Sequence, residues 1–450
     1  SMKKRIYSMK RIGAFLSIGV LFLLVFSCAV WTSGSDGATL TMSFSPNSKV
    51  LDANVNEAKV WVYSNNVLVP NAATTDGHYS AAITSTGGTV TISDLAPGTA
   101  YRIVVAAGKM VNNQFTPTNF GTSDLFGIKA GVETSVSLEL KPITVATGLA
   151  GKNLKSVVVA GTGTIFTASE DKLYGGDSIP SVSIYANFTL EESVKINSLN
   201  KTVEDHILVN TTRGVWNLSG SIIGSWDGTP PSIFQSGGLN NGSEEVYFYQ
   251  GEEEGKPVIG GYTGANWSKI PLDLPVAGKP ILDILVWEGD DSTIWGYFAT
   301  RVIGAFRIGS GLIDNITIND ILSGSDNSFL TFFGKGLPLI QAFGYLDGNE
   351  LYLGTKSGVY ITNINTPKNT IPTLLPGTKG LDVTKILVSD TKIEAFLSAK
   401  EIVLLKGSKI YKMPFLTSVV GTLTDIAWKG AELIVTGTTG ICSLDTSTLD

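Results

Sequence analysis

The sequence predicts an all-β chain in which a small β-sandwich is followed by a β-propeller. Three observations carry that expectation. Glycine supplies 50 of 450 residues without a collagen-like period, well above the usual share of roughly 7%, as many tight turns between short strands require. Short runs alternate apolar and polar residues at period two, the pattern of strands with one covered face. From residue 150 onward, a strand-turn-strand unit recurs at spacings that suit propeller blades. Charged residues make up only 16% of the chain and hydrophobic residues 43%, which argues against disorder and against a coiled coil.

The first 27 residues form a separate segment. Lys3, Lys4, Arg5, Lys10 and Arg11 precede an apolar run from Ile12 to Phe26, shorter than the ~20 residues that span a bilayer as a helix. Ser1 reads as a tag residue, and Met9 offers an alternative start. The run ends in Val25-Phe26-Ser27-Cys28, which resembles the lipobox of bacterial lipoproteins. That resemblance implies cleavage before Cys28, a lipid on its thiol, and attachment to a membrane of the bacterial cell envelope, either periplasmic or surface-exposed. Residues 28–37, rich in Ser and Gly, then read as a tether.

Residues 38–142 carry seven strand candidates: 39–45, 59–64, 79–84, 89–93, 101–107, 125–129 and 134–140. Turn signals such as Thr75-Asp76-Gly77 and Thr86-Gly87-Gly88 separate them, and the density suits a sandwich. Leu95-Ala96-Pro97-Gly98-Thr99-Ala100-Tyr101 resembles the Leu-x-Pro-Gly-Thr-x-Tyr corner of fibronectin type III and related immunoglobulin-like domains. The resemblance implies that the Tyr101 hydroxyl bonds back to the chain. A transthyretin-like or carboxypeptidase-regulatory-like sandwich fits the same strands. This region reads as a spacer, with adhesion or carbohydrate binding as its functional alternative.

Residues 150–450 hold the repeat. Its units turn at Lys172, Arg213, Gly260, Arg301, Gly358, Lys400 and Gly440, about 40 to 57 residues apart. Seven blades fill this length, and six or eight also accommodate the weak third unit. One four-stranded blade cannot cover both its faces, whereas blades set around an axis cover each other. Leu353-Gly354-Thr355-Lys356-Ser357-Gly358-Val359-Tyr360 resembles the two-component-regulator type of propeller repeat and, more loosely, the quinoprotein-like repeats of outer-membrane assembly lipoproteins. The signature of quinone-binding propellers is missing, so no cofactor is expected.

Few residues suggest chemistry. His78 and His206 belong to different regions, with no Cys or His cluster to complete a metal site, and both are expected to be ordinary surface or strand residues. Cys442 is expected to be a buried, inert thiol. The acidic runs Glu252-Glu253-Glu254 and Asp290-Asp291 could supply a glycosidase pair but fit solvated hairpin turns. Arg213, Arg301 and Arg307 could form an arginine triad or be repeat-equivalent surface residues. The segments 314–320 and 324–328 offer oxygen ligands without the spacing of a calcium loop. Two irregular segments, Trp226, Pro230, Pro231 and Phe234, then Phe329, Phe332 and Phe333, are candidate partner-binding loops. Residues 28–450 carry 28 Lys and Arg against 39 Asp and Glu, which disfavours nucleic acid. The expected function is that of a membrane-anchored envelope lipoprotein acting as a non-enzymatic protein-interaction scaffold through a propeller loop face. The alternative is a propeller that binds or hydrolyses glycans.

Overall fold

The computed structural model describes residue 37 onward apart from 47–50, 52–53, 202–204, 226–228, 237–245, 254–255, 264–265, 272–282, 289–293, 300–303, 309–339, 347–349, 364–371, 448 and 450. Nearly all of the described chain is β-strand or turn. No helix among the described residues is long and apolar enough to cross a membrane.

Nine strands precede residue 146: β1 (Ala38–Pro46), β2 (Glu57–Ser64), β3 (Val67–Val69), β4 (Tyr79–Ala82), β5 (Gly88–Leu95), β6 (Gly98–Val111), β7 (Gln114–Thr122), β8 (Phe126–Ile128) and β9 (Glu133–Val145). β2 pairs with β3, β4 and β6, and β6 continues to β7 and β8. β1 runs antiparallel to β5 and parallel to β9. The hairpins β2–β3 and β6–β7 turn on Asn65-Asn66 and Asn112-Asn113, all four at positive φ. Asparagine tolerates that conformation, and two-residue turns of this kind match the twist of the strands they join. The Tyr101 hydroxyl donates to the Ala96 carbonyl at 2.6 Å, as its corner motif implied.

Parity along β2 and β6 shows what covers them. Val60, Val62, Ile103 and Val105 enter a core with Leu40, Met42 and Ile92. Their odd-numbered or even-numbered neighbours Trp61, Tyr63, Val104 and Ala106 face the opposite way and are buried as well. A strand that is apolar at both parities is covered on both faces, and here the second cover is the repeat region.

That region has a propeller-like arrangement of small antiparallel sheets. They are β10 (Ser156–Val159), β11 (Ile165–Ala168), β12 (Leu173–Gly176) and β13 (Ser183–Ile184); β14 (Ile196–Lys201), β15 (Ile207–Thr211), β16 (Gly214–Asn217) and β17 (Ile222–Ser225); β18 (Thr229–Ser236), β19 (Val246–Glu253), β20 (Lys256–Thr263) and β21 (Asn266–Pro271). Next come β22 (Asp283–Glu288), β23 (Ile294–Ala299) and β24 (Gly304–Ile308); β25 (Ile340–Leu346), β26 (Glu350–Thr355), β27 (Gly358–Asn363) and β28 (Thr373–Leu374); β29 (Lys385–Val388), β30 (Ile393–Leu397), β31 (Ile402–Lys406) and β32 (Lys409–Met413). The last strands are β33 (Leu423–Lys429), β34 (Glu432–Gly437) and β35 (Gly440–Asp445). The first strands β10, β14, β18, β22, β25, β29 and β33 neighbour one another in turn, and β33 lies beside β10.

The turns between second and third strands share a chemistry. Thr211 Oγ1 donates to the Gly214 carbonyl at 2.9 Å and accepts from the Arg213 amide, and Thr355 makes the same pair of bonds with Gly358 and Ser357. Gly358 holds φ +131°, and a Cβ there would stand 2.7 Å from the Thr378 carbonyl oxygen, so the turn requires glycine. Gly260 departs from the expected turn position: it lies inside β20, opposite Tyr249. Residues 229–234, expected as part of an irregular loop over 226–234, belong to β18 (Thr229–Ser236) instead.

β35 finds its outer neighbour outside the repeat. Residues 143–145 of β9 pair antiparallel with Leu444, Ser443 and Cys442, so one strand serves both regions. Around this junction Trp61, Phe115 and Phe120 pack with Tyr411, Phe415, Leu416 and Val420. Phe120 stacks on Phe415 with centroids 5.8 Å apart, and the Arg102 guanidinium sits 4.1 Å over the Tyr411 ring.

Candidate functional site

A cavity of about 550 Å³ lies among the first strands of the sheets. First strands have a hydrogen-bonding neighbour on one side only, so amides on their free edge need another acceptor. The sequence supplies it from the neighbouring sheet. Asp425, at the start of β33, accepts from the Val157 amide of β10 at 2.9 Å and from the Ser156 hydroxyl at 2.7 Å. Asp283, at the start of β22, accepts from the Phe343 amide of β25 at 2.8 Å. Ser156 Oγ, at the start of β10, accepts from the Leu199 amide of β14 at 3.1 Å. In each case a side chain within the first three residues of one first strand holds a backbone amide of the next.

Asp425 is the most elaborated of these latches. It is buried, and an ionised carboxylate is tolerated there only when paired and hydrogen-bonded. Its Oδ1 accepts from the Ile426 amide at 2.8 Å and meets the Lys385 ammonium, which comes from the start of β29. Lys385, Asp425 and Ser156 thus tie three consecutive sheets at the point where the last meets the first. The far end of the cavity is lined by Val159, Lys201, Asp390 and Trp428, with Lys201 3.4 Å from Asp205.

The residues singled out from the sequence are dispersed. Cys28, Glu254, Asp290, Asp291, Arg301, Trp226, Phe329, Phe332 and Phe333 lie outside the described residues, as does the segment 314–320. Pro230, Pro231 and Phe234 fall on β18, Glu252 and Glu253 at the end of β19, and Arg307 on β24. Arg213 occupies its turn and pairs with Glu191. His206 is exposed. His78 is not a surface residue: it is 8% exposed, bonded to Asp76 and set 5.8 Å from the Trp61 ring. Cys442 is free and wholly buried, and burial pushes its thiol up to about 12. No group of three or more potential metal ligands occurs among the described residues.

The residues that build the channel were not singled out. Their signal is nonetheless present, because Asp-Ile falls in the first half of a strand at both Asp283 and Asp425, with a tryptophan three or four residues after the aspartate. A repeated carboxylate in an apolar strand context marks a position that a backbone donor must fill.

No family model matches the chain, and no curated protein matches it. Among solved structures it is similar to virginiamycin B lyase from Staphylococcus aureus, with 12% identity, a TM-score of 0.44, and coverage of 67% of this chain and 96% of that one. It is similar to Sqt1 from Saccharomyces cerevisiae at 10% identity and a TM-score of 0.44, over 67% of this chain and 84% of that one. A structure described as the extracellular domain of a hybrid two component system from B. thetaiotaomicron is 10% identical with a TM-score of 0.41, over 82% of this chain and 56% of that one. Likeness at this level carries no activity across.

Proposed function

We propose that this chain is a bacterial envelope lipoprotein, anchored through Cys28, in which an N-terminal β-sandwich and a seven-bladed propeller form one rigid scaffold for a protein partner. The observation that carries the reading is the commitment of Asp425 and Asp283, the cavity carboxylates that hold neighbouring first strands, while Asp390 lies in the exposed turn at the cavity's edge. General acid–base chemistry needs a carboxyl free to exchange a proton with a substrate, whereas Asp425 has both oxygens engaged by backbone, hydroxyl and ammonium donors and Asp283 holds a backbone amide. These groups brace the ring, which favours recognition by its loop faces. The shared strand β9 and the aromatic seam join the N-terminal strands to the ring that carries those faces.

Photo-crosslinkers placed in the full lipidated chain test this reading, one at Asp390 in the exposed turn after β29 and one at Lys400 in the exposed turn after β30, at opposite ends of the strand that joins them. The expected outcome in native membranes is a defined envelope protein captured from one face and not from the other. Capture of glycan alone, or of nothing from either face, overturns the scaffold reading.

A further inference from the structure

Between the sheets of β26 and β30, a phenol stands between two carboxyl groups. The Tyr352 hydroxyl is 3.2 Å from Glu350 Oε2 and 3.3 Å from Glu394 Oε1. Glu350 is exposed at the start of β26, while Glu394 is 2% exposed and its Oε2 has no hydrogen-bond partner. Counting protons decides the state of this trio. A phenol carries one hydrogen, so it can donate to one carboxylate only. With both glutamates ionised, one of the two contacts would set bare oxygen against bare oxygen beside an unpartnered buried charge. One added proton on Glu394 completes a directed chain, in which Glu394 donates to Tyr352 and Tyr352 donates to the solvated Glu350 anion.

We propose that Glu394 is a proton-dependent latch between these two sheets, closing the seam as the neutral acid and loosening it as the anion. Burial and the Glu350 charge favour the neutral form, and they outweigh the hydrogen bonds from its own backbone and from Tyr352 that favour the anion. Across its own sheet Glu394 faces Val388 and Leu405, and the seam around it is filled by Phe396, Val403 and Ile386. Glu350 and Tyr352, both from β26, are the titratable groups that act on it. Burial is the chief cause that pushes the Glu394 carboxyl up to about 7, with the Glu350 charge adding to it. The latch adjoins the channel, since Val388, its strand partner, and the following Ser389 and Asp390 line the cavity. Loosening the seam would therefore shift the turn at its mouth. The proposal is independent of which partner the faces bind.

The sign follows from linkage. A carboxyl that holds its proton more tightly when folded contributes stability that is complete below its unfolded value near 4.5, and that falls as pH rises until it is lost above about 7. The full effect is on the order of 10²-fold in the folding equilibrium. The test is unfolding of the full chain from pH 5 to pH 9 for the wild type, Glu394→Gln and Glu350→Gln, together with amide exchange of β26 and β30. The expected result is that the wild type loses stability relative to Glu394→Gln as pH rises, with exchange accelerating in those two strands before the rest of the ring. Glu350→Gln, at an exposed position that leaves the core intact, is expected to move the loss to lower pH, because it removes a repelling charge and supplies an amide donor to Tyr352. Parallel pH profiles for wild type and Glu394→Gln overturn the proposal. If Glu394→Gln fails to fold, an unmoved profile in Glu350→Gln overturns it by itself.

Discussion

Two of the joints in this molecule are built from opposite materials. Along the cavity edge the first strands are tied by Asp425, Asp283, Ser156 and Lys385, all polar, although the faces of the same sheets pack through apolar clusters. Between β2, β6 and the segment 411–420 the joint is made by Trp61, Phe120, Tyr411 and Phe415, beside the backbone pairing of β9 with β35. The difference lies in what each seam must satisfy. First strands expose amides that have no ladder partner, so an apolar seam would leave them orphaned, at about 1–3 kcal/mol each. The outer junction instead covers faces of sheets whose backbones are already paired, so water exclusion and packing suffice there. Two of its charges lie over rings, Arg102 over Tyr411 and Lys412 over Tyr63, while Lys141 of β9 pairs with Asp445 of β35.

The largest effect should come from breaking the polar seam at its busiest point. Asp425→Ala leaves Lys385 and the Val157 amide without their acceptor, and denaturant unfolding is expected to show a loss of about 3–5 kcal/mol. Asp425→Asn should retain part of that, since the side-chain carbonyl can still accept the Val157 amide. In the apolar seam, Phe415→Ala should cost about 3 kcal/mol by opening a cavity beside Trp61 and Phe120, and this loss should be insensitive to salt. Ser156→Ala should cost about 1–2 kcal/mol by removing one acceptor and one donor from the channel edge. At the small end, Asp445→Asn removes the charge that faces Lys141 at 3.3 Å from a half-exposed position. A change of under about 1 kcal/mol, erased at high salt, is expected there. If Asp425→Ala proved as mild as Asp445→Asn, the contrast between the seams would collapse.

How far the sequence reveals these seams depends on the periodicity of each element. The small-sheet architecture of the repeat was legible because Thr-x-x-Gly turns at Thr211 and Thr355 recur with apolar strands on either side. The Tyr101 corner was legible through the resemblance of Leu95 through Tyr101 to a fibronectin type III corner, which implies the bond from its hydroxyl back to the chain. β7 was not: Thr116, Pro117, Thr118 and Asn119 interrupt its apolar pattern, and its turn uses Asn112-Asn113 without glycine. Gly260 was misplaced because the third unit puts its glycines inside a strand. Val60-Trp61-Val62-Tyr63 and Ile103 to Ala107 did carry the outer seam, since apolar residues at both parities demand two covers, but only the fold reveals that the repeat provides the second one. Glu394 stayed hidden because a lone acidic residue in a strand looks the same in sequence whether it meets solvent or a buried phenol, whereas Asp283 and Asp425 left a trace in their shared Asp-Ile dipeptide.

The central claim is that the N-terminal strands and the ring fold as one body, with β9 completing the last sheet. Thermal unfolding and amide exchange of residues 37–450 against residues 146–450 test it most directly. The account predicts a single cooperative transition for the longer chain and, for the shorter one, a much lower melting temperature with β33, β34 and β35 the first strands to exchange. A shorter chain that melts where the longer one does, with those three strands equally protected, would contradict it.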